Sequence, residues 1–139
     1  MDKITFYEGI YAPLSNFSAH RVVFEGVDYM TAEHAYQTAK FSDSAVREKI
    51  KNAPSAFLAR EYGQVENGRT GNFDKVAVMK EIMRAKLSQH EDVQSILLST
   101  GTAIIDKNHP EDSFWGSGAD GAGQNVMGKI WMELRDEIQ

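Results

Sequence analysis

The chain has 139 residues, of which 42% are hydrophobic and 25% charged, and its formal net charge is −5. These proportions are typical of a globular protein and exclude wholesale disorder, so we expect one domain over residues 1–139. The absence of cysteine excludes disulfides, thiolate zinc sites and a cysteine nucleophile. The negative net charge argues against a protein that coats duplex DNA.

The sequence carries no membrane or export signal that we can identify. No apolar run approaches the roughly 20 residues that a membrane-spanning helix needs, and residues 1–6 lack the basic and apolar regions of a signal peptide. We therefore expect a cytoplasmic protein with no membrane partner. No pattern in the sequence indicates an oligomeric state.

Short strands are predicted near the beginning of the chain. Residues 4–7 predict one strand, and residues 21–29 predict two more around Glu25-Gly26, because the glycine permits the positive φ of a tight hairpin turn. The segment 13–17 has turn chemistry rather than a hydrophobic period.

Helices dominate the rest of the prediction, since capping residues precede apolar side chains at helical spacing. The six helices are expected at about 31–41, from Ser42 or Asp43 to near Pro54, from Ser55 to Gly63, from Asn72 or Asp74 through Leu87, at 91–101, and from Asn125 through Ile138. Thr31 and Asn125 are expected as N-caps, and Gly63 as the glycine that ends its helix.

The predicted fold class is α+β, mainly helical with a small antiparallel sheet. Residues 103–105 predict one more short, buried strand, and the polar stretch 64–72 predicts a loop. A doubly wound dinucleotide fold is excluded, because no strand–GxGxxG–helix unit is present.

The loop 112–125 is the most unusual stretch. Its four glycines permit close approach to a ligand, and it ends at a predicted helix N-terminus, where free N–H groups favour an anion. Trp115 offers a flat face to a base or sugar. The alternative is a flexible surface loop, although a tryptophan and two carboxylates among the glycines favour a functional interpretation.

The first predicted helix holds a second group of candidates. Glu33, Gln37 and Lys40 share one face at positions i, i+4 and i+7, where they could act together on a polar substrate. The alternative is an exposed salt-bridge stripe. His34 alone is more often a core or capping residue than a catalyst, and without a second histidine one turn later a helical zinc site is excluded.

Other candidates are weaker. Asn16 could stabilise its own turn or present its amide to a ligand, and its local context leaves both open. Arg60, Arg84 and Lys86 are expected at the surface, within reach of a phosphate. Residues 40–90 hold ten Lys and Arg against six Asp and Glu, which suits a small phosphorylated ligand or the end of a single strand.

Three blocks together resemble the NADAR superfamily, also called the YbiA-like family. They are Ser15-Asn16-Phe17, then Glu33-His34 with Gln37 and Lys40-Phe41, and then Trp115-Gly116 with Gly118 and Gly121. Asp112, Asp120, Gly123 and Asn125 belong to the same pattern, which runs from about residue 5 to residue 136. The segment Asn108-His109-Pro110-Glu111 departs from the family pattern, and we expect this departure to affect substrate choice.

The resemblance implies an N-glycosidase that acts on ribose joined through C1′ to an amine nitrogen. Its expected substrates are phosphoribosylamino-pyrimidine intermediates of riboflavin biosynthesis, or ADP-ribose on guanine in single-stranded DNA or RNA. It also implies that Lys40 attacks C1′ and forms a Schiff base. No metal or other cofactor is expected. The alternative is a non-catalytic module that binds ADP-ribose or an NAD-type ligand.

The residues fit this chemistry. A carboxylate stabilises the oxocarbenium-like transition state of glycoside cleavage, and Glu33 and Asp112 are the two candidates for acid and base. Burial would lower the pKa of Lys40 and make it nucleophilic. The expected substrate-binding residues are Asn16, Phe17, His34, Gln37, Arg60, Arg84, Trp115, Gly116, Gly118, Asp120, Gly123 and Asn125, with the phosphate held by glycine amides, by the helix beginning at Asn125 and by an arginine.

Overall fold

The computed structural model describes residues 2–139, and within them it contains six α-helices and four β-strands. The strands are β1 Lys3–Thr5, β2 Val22–Phe24, β3 Val27–Tyr29 and β4 Ile104–Asp106. The helices are α1 Ala32–Ala39, α2 Ser44–Lys51, α3 Ala56–Val65, α4 Lys75–Gln89, α5 Glu91–Ser99 and α6 Val126–Ile138, and a short 3-10 helix spans Ala12–Leu14. The α+β, mainly helical fold class is confirmed.

These elements belong to two compact units. The N-terminal residues up to Ser15 and the segment His90–Gln139 form the terminal unit, and Asn16–Gln89 forms the central unit. The expectation of one domain over the whole chain stays a prediction. No helix within residues 2–139 is long and apolar enough to cross a membrane.

The terminal unit is built on a parallel pair of strands. β1 pairs with β4 in the register Ile4 to Ile105, and α6 packs on β4. The indole N–H of the buried Trp131 on α6 donates to the carbonyl of Leu14 at 2.9 Å. The prediction of a purely antiparallel sheet is therefore wrong for this pair, because local patterns do not reveal the direction of strands that lie far apart in sequence.

The central unit surrounds α1, which contacts α2, α3, α4 and the β2–β3 hairpin. The hairpin is antiparallel as predicted, and both Glu25 and Gly26 have positive φ, as a type I′ turn requires. Phe41 and Ile50 lie in a small buried core with alanines of α3 and its preceding loop.

Most of the predicted caps are confirmed. The hydroxyl of Thr31 accepts from the backbone N–H of His34, Asp43 accepts from two N–H groups of α2, and Ser55 caps α3. Asn125 precedes α6 in a left-handed conformation, but its side chain makes no capping hydrogen bond. The predicted N-cap position is therefore confirmed, but the expected capping hydrogen bond is not formed.

Gly63 does not end its helix, since α3 continues to Val65. A Cβ atom at Gly63 would overlap the side-chain amide of Gln37 on α1. The glycine is therefore explained by the close approach of α3 to α1 rather than by helix termination.

Candidate functional site

Two polar side chains of α1 are buried side by side in the central unit. Glu33 is 7% exposed and Gln37 is 3% exposed. The amide of Gln37 donates to Glu33 Oε2 at 2.7 Å, so position i+4 fixes the orientation of the carboxylate. The alternative of an exposed salt-bridge stripe is wrong, because both side chains are buried.

Lys40 lies at the C-terminal end of the same helix with its amine half-buried. The pKa of Lys40 is lowered to about 8, chiefly by burial and also by the nearby charges of Arg69 and Lys75, while the charge of Glu33 opposes this shift. Its Nζ lies 5.1 Å from the centroid of the Tyr36 ring. Near neutral pH a substantial fraction of this amine is therefore unprotonated and nucleophilic.

Backbone contacts fix the segment that carries Arg69 beside Lys40. The N–H of Thr70 donates to the carbonyl of Lys40 at 2.8 Å, and Phe41 forms an isolated antiparallel bridge with Arg69. The guanidinium of Arg69 donates to the carbonyl of Gly63 at 3.2 Å, near the negative end of α3. The sequence analysis missed Arg69, since it lies in a predicted loop and only the fold brings it to Lys40.

The Asn16–Phe17 segment lies against the beginning of α1. The backbone N–H of Glu33 donates to the carbonyl of Asn16 at 3.1 Å, and the Asn16 amide contacts the sulfur of Met79. Phe17 is 41% exposed. The guanidinium of Arg60 lies 5.5 Å from the Phe17 ring centroid and equally close to the Phe57 ring.

Three polar atoms of this candidate set are buried without a hydrogen-bond partner among residues 2–139. They are Asn16 Oδ1, Gln37 Oε1 and Arg60 Nε. Buried polar groups are nearly always satisfied in folded proteins, so each exception needs an explanation. Three exceptions among the predicted binding residues of one unit favour a binding site whose ligand supplies the missing partners.

His34 is an exception to the expected binding set. It is completely buried, with Nδ1 2.7 Å from the hydroxyl of Thr31 and Nε2 2.9 Å from the carbonyl of Ala53. Both ring nitrogens are therefore engaged inside the protein. The expected contact between His34 and substrate is wrong, and its role is to hold the beginning of α1 in place.

In the glycine-rich loop 112–125 of the terminal unit, backbone N–H groups donate hydrogen bonds to other groups of the same unit. The N–H groups of Gly118 and Gly123 donate to carbonyls of the loop at 3.1 and 2.7 Å, and that of Gly116 donates to the Asp112 side chain. At the beginning of α6, the N–H of Asn125 donates to the carbonyl of Gly116. The prediction that these amides hold a phosphate is wrong, because each is already used inside the protein.

Close packing explains the glycines instead. A Cβ atom at Gly116 would lie 2.6 Å from the carbonyl oxygen of Lys107, and one at Gly123 would lie within 2.8 Å of three backbone atoms. The Asn125 side chain also serves the loop, since it accepts from the Lys107 N–H and donates to the carbonyl of Ile105. The alternative of a flexible surface loop is therefore also wrong.

Asp112 is an ionised carboxylate that orders the same loop. It accepts from Lys107 Nζ and from the Trp115 N–H, each at 2.9 Å. Burial alone would raise the pKa of Asp112, but the charge and hydrogen bond of Lys107 and two backbone N–H groups outweigh burial and lower it. A general-acid role is therefore disfavoured for Asp112.

The remaining predicted residues have simpler surroundings. Trp115 is half-buried, with its ring edge-on to Phe114 at 4.8 Å between centroids. Asp120 is exposed and accepts from the Ala122 N–H in a turn. Arg84 forms an ion pair with Glu81 and Arg60 one with Glu61 at 3.8 Å, each on its own helix. Arg60 is the better phosphate candidate because its Nε is buried without a partner among the described residues. Lys86 is completely buried and bonds to a serine hydroxyl, so its expected surface position is wrong.

Comparison with known proteins identifies the family. The NADAR domain model matches residues 5–139. The chain belongs to the NADAR domain family. N-glycosidase YbiA from Escherichia coli is 33% identical over 131 residues, which cover 92% of this chain and 82% of that protein. The NMR structure of E. coli YbiA matches with a TM-score of 0.88 and 32% identity, covering 99% of this chain and 84% of that chain.

Another relative carries a different name. A riboflavin biosynthesis protein from Vibrio vulnificus is 37% identical and aligns with 91% of this chain, but the alignment covers only 35% of that protein. The NADAR sequence is thus also found as part of a larger protein. The resemblance that the three sequence blocks indicated is confirmed.

Proposed function

We propose that this chain hydrolyses the C1′–N bond between a phosphorylated ribose and an amine nitrogen of a base, as a specific form of the N-glycosidase activity of NADAR enzymes. The proposed substrates are ADP-ribosylated guanine in single-stranded DNA or RNA and phosphoribosylamino-pyrimidine intermediates. The N-glycosidase name of one relative supports the type of bond that is cleaved, and the riboflavin biosynthesis name of another supports the pyrimidine substrates. ADP-ribosylated guanine is proposed from the family resemblance of the sequence.

One observation carries the proposal. An amine with a pKa of about 8 and a buried carboxyl group lie on the same helix, and Glu33 is close enough that its ionised form raises the pKa of Lys40 against the effect of burial. A lowered pKa is what a lysine needs to act as a nucleophile near neutral pH. A module that only binds its ligand has no use for a half-buried amine that is partly unprotonated.

In the proposed reaction the neutral Lys40 amine attacks C1′ while the C1′–N bond to the base breaks. The departing nitrogen keeps the electron pair of that bond and takes a proton from Glu33. The nitrogen Nζ, now bonded to C1′, passes a proton to the ionised Glu33. The ring bond between C1′ and O4′ then breaks with its electron pair going to O4′, which takes that proton, and a Schiff base between C1′ and Nζ is formed. Water then adds to C1′ with Glu33 as the base, and the sugar leaves as lysine is regenerated.

The two candidate carboxylates are suited to different tasks. A group that delivers and later removes a proton must exchange it readily, and the lowered pKa of Asp112 makes it a poor donor. We therefore assign proton transfer to Glu33. Asp112 then contributes by ordering the loop that carries Trp115.

Binding of the substrate is assigned to the polar atoms that lack protein partners. The amide of Asn16 offers its oxygen to a ribose hydroxyl, and Arg60 offers its guanidinium to a phosphate, whereas the oxygen of Gln37 is packed against Gly63. The exposed ring of Phe17 suits stacking with a base.

The test is to incubate the protein with an ADP-ribosylated guanine oligonucleotide and, separately, with the phosphoribosylamino-pyrimidine. Chromatography measures the released base or sugar, and mass spectrometry measures the loss of ADP-ribose. Borohydride added during turnover should attach the sugar to wild-type protein and not to Lys40→Ala. The matched control is Lys49→Ala, because Lys49 pairs with Glu66 and takes no part in the proposal.

Glu33→Gln should keep the fold and lower kcat by about 100-fold or more, the usual contribution of a general acid–base group. Unchanged turnover in Glu33→Gln would exclude its assigned role, and trapping retained in Lys40→Ala would exclude the Schiff base. Neither substrate being consumed while ADP-ribose still binds would favour the non-catalytic alternative.

A further inference from the structure

A groove separate from the Glu33–Gln37 pair crosses the central unit. It runs between β3, the C-terminal end of α1 and α2, and its volume is about 320 Å³. This volume lies at the lower end of the range of pockets that bind small ligands, and it exceeds what one phosphate group needs. Ser42 and Ser44 at its edge are exposed, so the groove opens to solvent.

Arg47 is held rigidly in the wall of this groove. One of its terminal nitrogens donates to the carbonyls of Thr38 and Phe41, at 3.2 and 2.8 Å. The other lies 3.4 Å from the hydroxyl oxygen of Tyr29. Because that oxygen accepts from Arg47, and burial raises the pKa of Tyr29 so that it keeps its proton, the Tyr29 hydroxyl of the groove lining still has a proton to donate.

Several further donors line the groove without partners of their own. The side chains of Ser42, Ser44 and Lys51 form no hydrogen bond or ion pair within the described residues, and the Thr38 hydroxyl is buried with no partner there. The one carboxylate of the lining, Glu48, accepts only a long contact of 3.4 Å from Asn52.

The chemistry of this lining is that of an anion site. The lining holds two cations and four hydroxyls against one carboxylate. Because Arg47 already donates within the protein, Lys51 and the hydroxyls are the donors that a negatively charged ligand with several acceptor oxygens would satisfy. A phosphate ester has these properties.

We propose that this groove binds a backbone phosphate of the nucleic-acid strand that carries the modified base. This proposal rests on the proposed function, because the proposed substrate is the reason to expect a nucleic-acid strand. Strand phosphates and the phosphate of a small ribosyl substrate share the same chemistry. An open groove larger than one phosphate favours the strand, because an adjoining sugar then has room beside the phosphate.

The experiment measures binding of a fluorescently labelled, unmodified single-stranded oligonucleotide by anisotropy at several salt concentrations. It compares wild type, Lys51→Ala and Lys49→Ala. Both variants remove one positive charge from α2, but Lys49 lies over the Tyr62 ring and pairs with Glu66, outside the groove. Ribose 5-phosphate is the second ligand, and its binding is followed by calorimetry.

Lys51→Ala should weaken oligonucleotide binding several-fold and reduce the slope of log K against log salt by about 0.7, which is the value for one phosphate contact on a single strand. Lys49→Ala should match wild type. Equal losses in both variants would overturn the proposal, and so would a loss confined to ribose 5-phosphate. Because the oligonucleotide is unmodified, the measured binding does not depend on turnover. The outcome of this binding experiment can therefore be distinguished from failure of the N-glycosidase test.

Discussion

The pH dependence of Lys40 reactivity is the most direct consequence of the structure. Its amine is half-buried and close to the positive charges of Arg69 and Lys75, and its pKa is lowered from 10.5 to about 8. The pKa shift of Lys40 is downward, because burial and neighbouring cations both disfavour the positively charged, protonated amine. We expect Lys40 to become reactive well below the pH at which other lysines do.

The size of the effect follows from the two pKa values. At pH 7 an amine with a pKa near 8 is about 10% neutral, whereas one with a pKa of 10.5 is about 0.03% neutral, a difference of about 300-fold. This factor is an upper limit on the gain in rate, because a less basic amine is also a weaker nucleophile. Raising the pH from 7 to 9 should bring the neutral fraction from about 10% to about 90%.

The measurement is competitive labelling with a trace of acylating reagent between pH 6 and 11, followed by peptide mass spectrometry for each lysine. The midpoint of the Lys40 curve reports its pKa independently of its maximal rate, so slow access to a half-buried amine does not disturb the result. Lys49 is the internal control, because its hydrogen bond and ion pair with Glu66 raise its pKa above the ordinary value.

The midpoint for Lys40 should fall near pH 8 and that for Lys49 above 10.5. In the same range, kcat/KM on a cleavable substrate should rise with the Lys40 curve. A Lys40 midpoint at or above the ordinary value would refute the reasoning. The charges around Lys40 would then not produce a neutral nucleophile, and its role would have to be electrostatic.

Three other predictions concern neighbours and packing. Arg69→Gln should raise the pKa of Lys40 and move the pH profile of activity upward, as labelling would show; an unchanged profile would exclude electrostatic control by Arg69. Gly63→Ala should destabilise the protein by about 1–3 kcal/mol in urea unfolding, because its Cβ would overlap the side chain of Gln37; wild-type stability would show that α3 can shift away. Gly123→Ala should lower the free energy of unfolding in urea by at least as much, because the added Cβ meets three backbone atoms that cannot move aside by a rotamer change. Wild-type stability of this variant would refute the close packing of the loop.

Much of the fold could be predicted from local sequence. Thr31, Asp43 and Ser55 each begin a helix with a side-chain oxygen that accepts from the backbone, and this interaction spans only two or three residues. The Glu25-Gly26 hairpin is equally local. The parallel pairing of β1 with β4 was missed, because it joins residues about one hundred positions apart and has no local signature.

The site was only partly predictable for the same reason. Helical spacing placed Glu33 and Gln37 together, and their hydrogen bond confirms the shared face. Spacing could not reveal that both are buried, since burial depends on what packs against α1. Nor could it find Arg69, whose charge reaches Lys40 only through the contact of the 66–73 loop with the end of α1.

The glycine-rich segment shows how one composition can have two explanations. Glycine permits both close approach to a ligand and close approach to the protein's own backbone. The hydrogen bonds of Gly116, Gly118 and Gly123 show the second use, and this explains why phosphate binding could not be inferred from composition. A site that binds phosphate must then be formed by side chains, and this favours Arg60 as a phosphate-binding residue.

The charge pattern of the structure also argues against a protein that coats duplex nucleic acid. Residues 40–90 have a surplus of positive charge, but much of it is already used: Lys49 and Arg84 form ion pairs, Lys86 is completely buried, and Arg47 donates to backbone carbonyls. A surface that coats a duplex needs many free cations at once. Lys51, which has no ion pair among the described residues, can supply only one such contact. A strand would therefore be held by few phosphate contacts, and its affinity should depend weakly on salt.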